Sequence, residues 1–169
     1  MIFRTTYIVL IALLLGNAAK AQVTPDPTIV INVSATLISD TPIVMTTLNN
    51  MVVAGAPDEK QEIYVSPITS PNAGLLLAKG RPGSQARMTY IISEVLSEQE
   101  HMGSISMKYE MSGNAKRIQR TSQLIDTGEA VLNFDEDGLY YLWVGGHIDV
   151  SKAVSGKYNG QFTIQIEYI

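Results

Sequence analysis

Apolar residues recur at every second position along much of this chain. Between residues 28 and 38 the odd positions Ile29, Ile31, Val33, Ala35 and Leu37 are apolar, with Asn32, Ser34 and Thr36 between them. Alternation of period two places one set on one face of a strand, whereas a helix would scatter the same set around its circumference. The pattern returns at Met88, Tyr90 and Ile92, at Ile105, Met107, Tyr109 and Met111, and at Ala130, Leu132 and Phe134. It is cleanest at the end, where Phe162, Ile164, Ile166 and Tyr168 alternate with Gln161, Thr163, Gln165 and Glu167. Tyr140, Leu142, Val144, Ile148 and Val150 share one face of a longer strand interrupted by Gly145 and Gly146. Weaker strand candidates are 51–54, 62–66, 75–78 and 117–125. Residues 91–101 contain Glu, Leu and Gln, which favour helix. Strand signals on both sides reduce that segment to a loop or a single turn.

Turn chemistry punctuates these runs, at Pro71-Asn72-Ala73-Gly74, Gly80-Arg81-Pro82-Gly83, Ser112-Gly113-Asn114, Asp126-Thr127-Gly128 and Asp135-Glu136-Asp137-Gly138. Short alternating strands divided in this way predict one all-β domain, a sandwich or a barrel, over residues 28–169. Glycine weakens a strand unless the backbone bends or something approaches closely. Gly145-Gly146 is therefore read as a bulge, or as a place where another chain packs closely.

Composition narrows the setting. Arg4 precedes a nine-residue apolar run at 7–15, and Ala19-Lys20-Ala21 supplies small residues suited to a signal peptidase. Residues 1–21 are read as a signal peptide and 22–27, with two prolines, as an extended lead. The apolar run is far short of the ~20 residues of a spanning helix, so no membrane span is expected after cleavage. The expected location is periplasm, cell surface or medium. With no cysteine there is no disulfide, and stability rests on the core, which a domain of this size can supply. Loss of Arg4 and Lys20 takes the net charge from −4 to −6. An acidic chain without a basic cluster argues against nucleic acid, whose phosphates need clustered cations.

Catalytic chemistry is thinly supplied. Two histidines, His101 and His147, are present, and no Gly-x-Ser-x-Gly elbow accompanies them. Three-histidine zinc binding is out of reach, although two histidines and a carboxylate remain open. No enzyme activity and no cofactor are expected. The acidic run 135–138 is read as a solvated hairpin tip rather than a calcium loop, since it lacks EF-hand spacing. Asn32-Val33-Ser34 matches a glycosylation sequon but lies inside a predicted strand.

The first and last strands carry the sharper possibility. An exposed apolar strand needs a partner. Ile29, Ile31, Val33, Ala35 and Leu37 are what a donor strand completing a neighbour's sheet would present. The other reading makes 28–38 the first strand of its own sandwich.

The stretch 138–150, which ends in Val144-Gly145-Gly146-His147-Ile148-Asp149-Val150, followed by Gly156-Lys157-Tyr158-Asn159-Gly160-Gln161-Phe162-Thr163-Ile164, resembles the ending of the domain-of-unknown-function 4402 family of exported bacterial proteins. The N-terminal half matches more loosely, and Leu48-Asn49-Asn50 stands where that family has a Phe-Gly pair. The ending also resembles chaperone–usher pilins, with Tyr168 penultimate and Gly156 fourteenth from the C-terminus. These resemblances imply an immunoglobulin-like β-sandwich of about seven to nine strands, incomplete in the pilin case, and a structural or adhesive subunit whose partners are copies of itself or an export chaperone. Phe162, Ile164, Ile166 and Tyr168 would then face the chaperone, and the five residues from Ile29 to Leu37 would be the donor set. The alternative is a self-contained monomeric binding module for a glycan or a protein.

Overall fold

The computed structural model describes residues 28–37, 43–54, 56–98, 103–154 and 157–169. The leader, the lead, His101 and Gly156 lie outside the described residues. Among the described residues twelve strands follow in chain order. The first six are β1 (Thr28–Leu37), β2 (Val44–Asn49), β3 (Met51–Val53), β4 (Glu62–Val65), β5 (Gly74–Lys79) and β6 (Gln85–Tyr90). The rest are β7 (Ser93–Ser97), β8 (Ser104–Asn114), β9 (Gln123–Ile125), β10 (Glu129–Asn133), β11 (Leu139–Asp149) and β12 (Lys157–Tyr168). A 3-10 turn, Gln119–Thr121, precedes β9. Among the described residues no helix is long and apolar enough to cross a membrane.

The strands form two sheets, one in the order β10-β6-β12-β1-β3, the other β2-β5-β11-β8-β7 with β4 beside β11 and β9 beside β8. The predicted all-β sandwich is the observed class. Twelve strands replace the expected seven to nine because three runs change sheet and are each divided. β2 and β3 part at Asn50, β6 and β7 at Ile91 and Ile92, and β9 and β10 across 126–128. The bend after Tyr90 also ends the alternation read through Ile92, which is exposed while Met88 and Tyr90 are buried. Residues 93–97 of the segment read as a loop or turn are strand β7.

Between the sheets the alternating sets meet. Ile105, Met107, Tyr109 and Met111 of β8, Leu142, Val144 and Ile148 of β11, and Phe162, Ile164 and Ile166 of β12 are all buried. The Tyr109 and Phe162 rings lie 4.5 Å apart and tilted, so the two layers interlock through aromatic side chains. Each such buried side chain is worth roughly 1.5–3 kcal/mol relative to exposure, which stands in for the missing disulfides. A second, smaller apolar layer forms on the outward face of β11. There Trp143 and Leu75, cross-strand neighbours, are buried. Segment 66–73 lies on this face, because the Ser112 hydroxyl donates to the Pro67 carbonyl at 2.9 Å and the Gln119 amide to the Pro67 and Ser70 carbonyls at 3.1 and 2.9 Å.

Candidate functional site

Below that cover, the outward face of the same sheet is bare. Register sets its pattern. Tyr64, His147, Lys108 and Ser93 lie in one cross-strand row over β4, β11, β8 and β7. Glu62, Asp149, Ser106 and Val95 form the next row. These residues point outward because Ile148 and Met107, adjacent to them in sequence, are buried inward. Short Ser106 between longer neighbours, and Ser93 at the β7 edge, leave a groove of about 550 Å³, lined by these two and by Glu62, Val95, Lys108, His147 and Asp149 together with Glu94 and Met107.

One end of the groove is held rigidly. The Tyr64 ring stacks on His147 at 4.4 Å between centroids and 28° between planes. Its hydroxyl donates to Glu110 Oε2 at 3.0 Å. Glu110 Oε1 is 3.5 Å from His147 Nε2, and Glu62 Oε2 is 4.0 Å from Nδ1, so the imidazole is bracketed by two carboxylates. Partial burial, then the hydrogen bond and negative charge of Glu110, raise the Tyr64 phenol above its ordinary pKa. Asp149 is moved the other way. Ser151 stabilises its charged form by side-chain and backbone hydrogen bonds, the latter at 2.8 Å. The face therefore keeps its carboxylate beside a Lys and a His, which suits it to binding through interleaved donors and acceptors. Among the described residues, no three His, Cys, Asp or Glu groups lie close enough together to hold a metal ion.

The donor and pairing sets read from the sequence fall elsewhere. Ile29 and Ile31 are 1% and 0% exposed and belong to the core. Val33, Ala35 and Leu37 stand opposite Phe162, Ile164 and Ile166 in a parallel ladder between β1 and β12. The two sets read as donor and pairing strand are thus side by side within one chain. β12 lies between β1 and β6, its far end pairing with 86–90. Tyr168 is tied to the turn after β5: the Arg81 amide donates to its hydroxyl at 2.8 Å, and the Arg81 guanidinium lies 5.0 Å over its ring.

Two readings are corrected. No bulge occurs at Gly145-Gly146, since the β11–β8 register runs through both residues without a shift. The close approach is made by the same chain: a Cβ on Gly145 would stand 2.1 Å from the Val65 carbonyl, and one on Gly146 2.1 Å from the Lys108 carbonyl. The acidic run 135–138 is a turn but not a hairpin tip, because β10 and β11 belong to different sheets. Asp135 Oδ1 accepts from the amides of Asp137 and Leu139 at 3.1 and 2.6 Å, so its carboxylate is engaged in its own turn.

The groove residues other than His147 were not singled out from the sequence. Their one sequence signal is polarity at alternate positions, such as Ser106, Lys108 and Glu110, and polar alternation also marks any solvated sheet face. Compared with models of known protein families the chain matches none, and the curated proteins give no match either.

Proposed function

We propose that the chain is an exported, non-enzymatic structural or adhesive domain that joins copies of itself by lending strand β1. The observation that carries this reading is the one-sided attachment of β1. All ten of its residues pair with β12, but on the other side only Ile29, Val30 and Ile31 pair, with β3. Residues 32–37 therefore have a single described sheet neighbour. The strand is the first described element and feeds Ile29 and Ile31 into the core. Its removal would leave an open ladder along β12 and a gap in the apolar layer, and the β1 of a second copy offers the same ladder and the same side chains. Exchange of an identical element needs no new contacts, only a connection that opens. The likeness of the ending to the 4402 family and to chaperone–usher pilins supports the same reading.

A second reading, a self-contained binding module, has in its favour that one chain supplies a complete core. Deletion of residues 28–37 separates the two. In a strand-lending subunit, size-exclusion chromatography and electron microscopy find polymers of the intact protein. The deletion abolishes them, and a peptide of residues 28–37 restores a folded monomer. An intact protein that stays monomeric, with a deletion variant that no peptide refolds, would sink the proposal and leave the self-contained module.

A further inference from the structure

We infer that the groove on the outward face of the seven-stranded sheet is a binding site for a neutral glycan. This inference is independent of strand exchange, because the groove is built from β4, β7, β8 and β11 and uses no residue of β1 or β12.

On this face Ser106 lies between Asp149 and Val95, Ser93 stands at the β7 edge beside Lys108, and His147 and Glu62 close the other side. The space of about 550 Å³ lies within the range of roughly 300–1,000 Å³ usual for small-ligand sites.

The lining then selects the ligand. Glu62 and Asp149, with Glu110 behind His147, put negative charge along one side, which repels anions. An apolar ligand would strip water from these carboxylates and from Lys108 without replacing its hydrogen bonds, a cost that disfavours it. A cationic peptide would meet Lys108 in the middle of its row. One row carries His147 beside Lys108 and the next carries Glu62 beside Asp149, so donors face acceptors along the strands: imidazole and carboxylate on β11, ammonium and hydroxyl on β8. A polyhydroxylated ligand fits that alternation, since each sugar hydroxyl both donates and accepts.

Apolar surface for the C–H-bearing side of a sugar ring lies at the β7 edge of the groove, on Val95, and just outside it, on Tyr64 beyond His147. Tyr64 is 52% exposed, yet its hydroxyl is pinned to Glu110 and its ring is stacked on His147. Val95 is 65% exposed. A half-exposed aromatic ring already fixed in place offers contact area at little entropic cost on binding. The open, shallow shape implies weak single-site affinity, which a polymer or a clustered display would multiply.

The test is an array of neutral, sialylated and sulfated glycans probed with the purified protein, followed by nuclear magnetic resonance titration with a free neutral glycan from the array. The expected result is saturable capture by neutral glycans, with shifts confined to Tyr64, Ser106, Lys108, His147 and their strand neighbours. Ser106→Trp, which fills the floor, and Lys108→Ala, an outward-facing change that leaves the core untouched, should each weaken capture at least about tenfold, the equivalent of 1.4 kcal/mol. Circular-dichroism melts verify that both variants fold. Capture of no neutral glycan, preference for the acidic glycans, binding of trilysine in their place, or capture unchanged in a folded Lys108→Ala variant would each overturn the inference.

Discussion

At Gly146 a single hydrogen atom decides whether the central strand pairs. Its φ of 145° and the Lys108 carbonyl only 2.1 Å from where a Cβ would sit leave no room for any other residue. Gly146→Ala is expected to destabilise the fold by more than about 3 kcal/mol, combining backbone strain with a backbone-to-backbone clash. Gly83 gives the comparison. It also has positive φ, at 67°, but nothing lies within 4 Å of its would-be Cβ. Gly83→Ala should cost about 1–2 kcal/mol, the conformational penalty alone. Urea denaturation of both variants reads the difference, and equal losses would show that crowding at Gly146 has been overstated. The glycine pair was visible in the sequence. Its cause was not, because the carbonyls that crowd it come from residues 65 and 108.

At the scale of elements, β12 joins the two halves of its sheet and its alternation is fully expressed. Phe162, Ile164 and Ile166 are buried while Gln161 and Gln165 are exposed. Phe162→Ala removes the ring that meets both Tyr90 and Tyr109 and should cost about 3–5 kcal/mol in chemical denaturation. Gln165→Ala, on the outward face of the same strand, should stay within about 0.5 kcal/mol. Comparable losses at both positions would contradict the assigned faces. Elements whose pattern is mixed were harder to read. β2 is largely exposed and shows no alternation. In β7 the inward positions include Glu94, whose carboxylate accepts from the Tyr109 hydroxyl at 3.0 Å. A carboxylate facing inward removes the apolar signal from a strand that is nonetheless half in the core.

The whole molecule carries several of its tyrosines out of water, and this sets its response to alkali. Burial raises the phenols of Tyr109, Tyr90 and Tyr140 above the ordinary value of 10.0, and Glu94 adds to the effect at Tyr109. The neutral form is favoured in the folded state, while unfolded tyrosines ionise near their ordinary value. The stability linked to these groups is therefore intact below pH 10 and is lost as the pH rises above it. Urea unfolding between about pH 8 and 11 should give falling stability only in the upper part of that range, with tyrosinate absorbance appearing together with unfolding. Tyr109→Phe should flatten that fall, although it costs stability at neutral pH by leaving Glu94 without its donor. Tyrosinate absorbance from these residues at pH 10 in a protein that remains fully folded would refute the burial argument.

Period-two patterning and turn residues were enough to identify an all-β fold, sandwich or barrel, because the burial face of a strand is written locally, one residue in two. The first and last strands, the β11 face and the turn at 135–138 were legible for that reason. Which strands become neighbours is not local. The sheet changes at Asn50 and at Ile91–Ile92, the parallel pairing of the two chain ends, and the rows that place Glu62, Ser93, Ser106 and His147 around one groove all depend on register between segments far apart in sequence. A shift of one residue in any of those ladders would turn the groove residues to the opposite face, so this candidate site exists only once the sheets have closed.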